Sequence, residues 1–170
     1  MDSNADTCCL GTNFTILQYT QQIAEVFAYD STLPSKKVPI VSAATAYTCP
    51  KTNVTYILIV NEGLYYGTQL DHSLFNPNQF RIFGIDVWDN PFDRDKPIGI
   101  DCGHLFVPLA TKGTKLRFRT QSPMKEELHN CLHIDLTSKV PWEPAMVSLS
   151  ETKTIECSAL VGAPRSNDVE

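Results

Sequence analysis

Val38-Pro39-Ile40-Val41-Ser42-Ala43-Ala44-Thr45-Ala46-Tyr47-Thr48 is followed, after Cys49-Pro50-Lys51-Thr52-Asn53, by Val54-Thr55-Tyr56-Ile57-Leu58-Ile59-Val60-Asn61. The two runs are rich in β-branched and aromatic residues, and the five residues between them carry turn chemistry. Proline at position 50 fixes one backbone angle, and Asn53 tolerates the left-handed region. Together they predict a long β-hairpin. The second strand is continuously apolar from Tyr56 to Val60, a pattern that suits a strand covered on both faces.

Upstream, residues 14–19 and 23–29 read as two short strands joined by the polar turn Thr20-Gln21-Gln22. Downstream, Leu64-Tyr65-Tyr66 extends the hairpin, with Gly63 and Gly67 allowing bends. Asp71-His72-Ser73 looks like a helix start, limited by Pro77 and Asn78 to a turn or two ending near Arg81. Residues 87–101 are loop-like. Further strands are expected at 104–109 and 115–120 around the turn Thr111-Lys112-Gly113-Thr114, with a short helical turn at 125–128 after Pro123. Residues 129–136 alternate as a strand would. The predicted class is mainly β, a single domain with one or two short helices. Residues 1–100 form the principal β unit, 101–163 an additional β-rich segment of the same domain, and 164–170 a disordered tail.

Composition narrows the function. A chain of 170 residues with 42% hydrophobic and 19% charged residues can bury a core without metal or disulfide support. A net charge of −5 argues against nucleic-acid and anionic-membrane partners. No apolar run approaches the ~20 residues needed to span a bilayer. The amino end lacks the basic start and apolar stretch of a signal peptide, so an intracellular site, cytoplasmic or nuclear, is expected. The six cysteines are then expected as reduced, mostly buried thiols. On the same ground, Asn13-Phe14-Thr15 and Asn53-Val54-Thr55 are read as coincidental sequons. No glycine-rich phosphate loop or nucleotide fingerprint is present, and no cofactor is expected.

Four constellations bear on chemistry. His129, Cys131 and His133 would share one face of a strand, and Cys102 and His104 have the same spacing, so a nitrogen and sulfur zinc site is conceivable. The alternative is a half-buried strand with its histidines in water. Lys115, Arg117 and Arg119 alternate with Leu116 and Phe118, which reads as a strand with one wet face. Cys8 or Cys9 could act as a nucleophile, but Asp6 nearby would raise a thiol pKa.

The fourth constellation is Asp2-Ser3-Asn4-Ala5-Asp6-Thr7-Cys8. It resembles the start of the retropepsin-like aspartic protease domain in Pol polyproteins of copia-type retrotransposons, particularly those of algae and related protists. Ile57-Leu58-Ile59-Val60-Asn61-Glu62-Gly63-Leu64-Tyr65-Tyr66 and Leu70-Asp71-His72-Ser73-Leu74-Phe75-Asn76-Pro77-Asn78-Gln79-Phe80-Arg81 are similar to a later segment of the same domain. The likeness covers roughly the first half of the chain. It implies a retropepsin-like β-barrel, a polypeptide substrate, and a homodimer in which each copy supplies one carboxylate. Under it, Asp2 is the catalytic residue and Ser3 the hydroxyl bracing the paired loops, while Asn4, Ala5 and Asp6 meet the substrate. The sequence departs from the family in two ways. Asn4 stands where the family has glycine, and the hairpin over residues 38–61, the best candidate for the family's glycine-rich substrate-closing hairpin, has no glycine near its tip. These departures motivate a rival expectation, a catalytically silent β domain with a structural or assembly role.

Overall fold

One long strand, β4 (Thr55–Gly67), organises the molecule. The computed structural model describes residues 6–28, 30 and 32–148. Along one edge of β4 runs β3 (Lys36–Thr48), antiparallel, with Thr48 opposite Thr55 and Ile40 opposite Leu64. The turn between them forms as its residues dictate. Cys49 N–H donates to the Val54 carbonyl at 2.9 Å, Asn53 N–H donates to the Cys49 carbonyl at 2.8 Å, and Asn53 sits at φ 57°. Beyond β3 lies β2 (Thr15–Val26), also antiparallel and at the sheet's edge.

The other edge of β4 is shared by two short strands, both parallel to it. β1 (Cys9–Gly11) lies beside residues 64–67, and β10 (Leu132–Asp135) beside residues 56–59. The side chains of β4 divide as alternation requires. Leu58 and Val60 enter the larger core with Leu10, Phe75, Phe80 and Leu136. Ile57 and Ile59 join Ala44 and Ala46 on the opposite face. There, Leu128 of α2 (Lys125–Asn130) packs over them. The uninterrupted apolar run is therefore explained by cover on both faces, each buried aliphatic side chain stabilising by about 1.5–3 kcal/mol. Leu136 lies in the same core as Leu10, so residues on either side of position 101 share one interior.

Helix α1 (Pro77–Ile82) closes the larger core with Phe80, which is fully buried. Its N-cap is Asn76, whose side chain accepts from Asn78 N–H at 2.8 Å, and Pro77 occupies the first turn, where its missing N–H costs nothing. The remaining strands form separate small sheets. β5 (Asp86–Trp88), β6 (Gly99–Asp101) and β7 (Phe106–Pro108) make one, and β8 (Ala110–Lys112) with β9 (Lys115–Arg117) the other. Arg81 ties α1 to β5 through the Val87 carbonyl at 2.9 Å and Asp89 at 2.8 Å.

The fold is mainly β, as expected, but the described sheets do not close into a barrel. Closure would need a ladder between β2 and β1 or β10, the strands at the opposite edge of the sheet. Instead β2 exposes residues on both its faces, and the two smaller sheets have no ladder to the main one. Several local expectations also change. Thr15–Val26 forms one strand rather than two, with Gln21 at φ 65° interrupting its register against β3. The helix begins at Pro77 and not at 71–73, because Ser73 is held by β1 and accepts from Gly11 N–H at 2.8 Å. Within residues 87–101, strand pairing of β5 and β6 replaces part of the expected loop. His129 belongs to α2, so the strand expected from 129 begins only at Leu132. The tail expected at 164–170 lies outside the described residues. Among the described residues, no helix is long and apolar enough to cross a membrane.

Candidate functional site

Strand β4 carries a bulge where β10 ends and β1 begins. Val41 faces Gly63 and Ala43 faces Val60, so Asn61 and Glu62 together stand opposite Ser42. Glu62 adopts φ 55°, a region costly for a residue with a Cβ. An observed strain of this kind suggests function, since bulges re-aim side chains. Here both residues are buried, Asn61 at 1% exposure and Glu62 at 6%.

The backbone of the bulge is satisfied by side chains instead of a neighbouring strand. The Thr137 hydroxyl accepts from Asn61 N–H at 2.7 Å and donates to the Asn61 carbonyl at 2.8 Å. The Asn61 amide group donates to Asp135 Oδ1 at 3.0 Å and to the Thr137 carbonyl at 2.9 Å. From α1, Gln79 Nε2 donates to the Glu62 carbonyl at 3.2 Å, while its Oε1 accepts from Cys8 N–H at 2.9 Å. Buried amides bonded in this way fix a geometry, because each lost partner would leave an uncompensated polar group.

That network anchors the acidic loop at the amino end of β1. Leu64 N–H donates to the Cys8 carbonyl at 2.9 Å. Cys9 and Leu74 exchange a pair of backbone bonds, each 2.8 Å. Strand β1 is therefore inserted between β4 on one side and residue 74 on the other. Gly11 is needed here, since a Cβ would stand 2.3 Å from the Leu70 carbonyl oxygen. Just upstream, Asp6 is exposed, and its carbonyl accepts from the Trp142 indole N–H at 2.9 Å. Trp142 N–H in turn donates to Glu62 Oε2 at 3.2 Å. Burial pushes the Cys8 thiol up to about 12 despite a hydrogen bond with the Asn76 backbone, so it stays protonated and is no nucleophile.

Of the residues singled out in the sequence, Asp2, Ser3, Asn4 and Ala5 lie outside the described residues, and Asp6 lies in the loop just described. The histidines and Cys131 are not brought to one face. His129 is in α2, Cys131 caps that helix, and His133 is in β10. One ring nitrogen of each histidine is engaged by a backbone carbonyl, His129 with Lys125 and His133 with Leu128, both at 2.8 Å. Among the described residues, no group of three or more histidine, cysteine, aspartate or glutamate side chains is placed to hold a metal ion. His104 is exposed on the β6–β7 turn, and burial pushes its neighbour Cys102 up to about 12. Lys115, Arg117 and Arg119 are exposed and Leu116 and Phe118 pack on the core, but the strand expected over 115–120 ends at Arg117.

A shallow cleft of about 390 Å³ opens among Pro77, Asp89, Pro91, Thr111 and Leu116, and neither Asp6 nor the zinc candidates His129, Cys131 and His133 line it. Sequence reasoning missed Gln79, Thr137 and Trp142. Only the interruption of the apolar run by Asn61-Glu62 signalled the bulge. No protein-family model, curated protein or solved structure matches this chain.

Proposed function

We propose that the chain is a retropepsin-like aspartic endopeptidase domain of a retroelement polyprotein, active as a homodimer. The observation that carries this reading is the seating of the acidic loop. The backbone from Cys8 to Gly11 pairs with β4 on one side and, at Cys9, with Leu74 on the other, and Cys8 and Leu10 are fully buried. Residues 6–8, the described part of the acidic loop, thus lead directly into a paired strand. Asp2 from each copy supplies one carboxylate, and two held together share a single proton. The ionised member takes a proton from water as it attacks the peptide carbonyl, and the protonated member donates to the leaving amine. Ser3 braces the paired loops, and Asn4, Ala5 and Asp6 contact the substrate backbone. No nucleic acid, membrane or cofactor takes part. Cleavage of an unstructured polypeptide at about pH 5, suppressed by pepstatin, is the expected result; its absence from a dimeric preparation contradicts the reading.

A second reading is favoured by Asn4, which puts a side chain where the substrate must approach the backbone. It is a catalytically silent β domain that keeps the loop for structure or assembly. Pepstatin-sensitive cleavage would overturn it.

A further inference from the structure

We propose that the segment following β10 is a clasp on the acidic loop, with Trp142 as the residue that positions it. The proposal rests on the endopeptidase reading for its consequence, though the clasp itself stands on geometry alone.

The segment leaves the sheet at a buried anchor. Leu136 N–H donates to the Ile59 carbonyl at 2.8 Å, and Thr137, 1% exposed, makes its two bonds with the Asn61 backbone. Residues 139–141 then arch through solvent, where Lys139, Val140 and Pro141 are exposed. The arch comes down again at Trp142, which makes contacts of two kinds. Its main-chain N–H donates to the carboxylate of Glu62, and its indole N–H donates to the carbonyl of Asp6. One residue therefore links the strained bulge of β4 to the loop that precedes β1.

The placement has a chemical logic. A carboxylate as buried as that of Glu62 is costly unless it accepts a hydrogen bond, and the Trp142 amide supplies one. The Glu62 backbone conformation, held by Gln79 from α1, directs that carboxylate toward the arch. Gln79 also holds Cys8 N–H, so the same α1 side chain serves both ends of the link. Asp6 lies on the protein surface, and its carbonyl accepts from the indole of the clasp. A tryptophan suits the task, being a large, stiff side chain whose single donor points along the ring edge. The acidic loop is thus positioned from both sides, by β1 and by a segment some 136 residues later in the chain.

The test combines amide hydrogen exchange with steady-state kinetics on the full chain, using three variants. Trp142→Phe keeps the ring bulk but removes the indole donor. Glu62→Ala removes the acceptor for the Trp142 amide, and Glu62→Gln keeps one. For Trp142→Phe and Glu62→Ala, exchange at Cys8 and Cys9 should rise at least ~5-fold, the loss of about one hydrogen bond. Amides in the β3–β4 ladder should be unchanged, and Glu62→Gln should behave as the natural chain. In an active preparation, kcat should fall by ~10-fold or more with KM unchanged, because loop position governs the reacting geometry. Unchanged exchange at Cys8 and Cys9, a rise spread evenly over the sheet, or a loosened loop with undiminished kcat overturns the clasp. If the natural chain cleaves nothing while the exchange pattern is as expected, the endopeptidase reading fails and the clasp stands.

Discussion

Asn61 is a polar residue in the middle of the apolar strand β4, and its donors are partnered although its Oδ1 is buried without a hydrogen-bond partner. Its amide group bonds Asp135 and the Thr137 carbonyl, and its backbone is closed off by the Thr137 hydroxyl. Replacing it by leucine keeps the volume but leaves those acceptors buried without donors. Asn61→Leu should lower unfolding free energy by about 2–4 kcal/mol in urea melts. Cys8 offers a second prediction at this scale. Burial raises its thiol from an ordinary 9.0 to about 12, so the folded chain keeps a proton that the unfolded chain releases. The stability this contributes is complete below pH 9 and is lost as pH rises toward 12. Thermal melts should show a falling midpoint over that interval, with a shallower fall in Cys8→Ser. An equal slope in the two proteins would contradict the assignment. Cys49 is the opposite case, because hydrogen bonds from the Thr52 hydroxyl and the amides of Thr52 and Lys51 hold its thiol below the usual range.

Strand β1 has three residues, yet it fixes the candidate site, because both its edges are paired. Gly11→Ala tests this directly, since the added Cβ meets the Leu70 carbonyl oxygen, a backbone atom that cannot turn aside. A loss of about 1–3 kcal/mol is expected, with exchange rising first at Cys9 and Leu74. This strand also marks where the sequence stopped being readable. The β3–β4 hairpin was legible because its turn is local, with Pro50 and Asn53 supplying the geometry and the apolar run showing double burial. The start of α1 was not, since Ser73, which with Asp71 imitates a cap, is claimed by a strand 62 residues earlier. Asn76, the actual cap, precedes a proline that looked like a limit and serves as the first turn. The strand expected at 129–136 was legible only in part, since β10 spans Leu132–Asp135. A helical turn begun at Lys125 continues to Asn130, its first turn carrying Glu126 and Glu127, where acidic groups favour the helix dipole.

For the molecule as a whole, composition and periodicity indicated a mainly β chain, and that holds. The manner in which the sheets meet was hidden, because parallel pairing of β1 and β10 with β4 joins residues far apart in sequence. The candidate site is assembled the same way. Asp6 was visible in a local motif, whereas Gln79, Glu62 and Trp142 reach it through distant contacts that no local pattern records. A homodimer requires a solution mass of twice the 19.0 kDa chain, and sedimentation should give it under the conditions of any activity assay. The most direct test of the central claim compares the natural chain with Asp2→Asn, both verified as dimers, for release of peptides from an unstructured polypeptide at about pH 5. The account predicts cleavage by the natural chain and a rate lowered at least ~1000-fold in the variant, as for loss of a reacting group. Equal rates in the two dimers would contradict it.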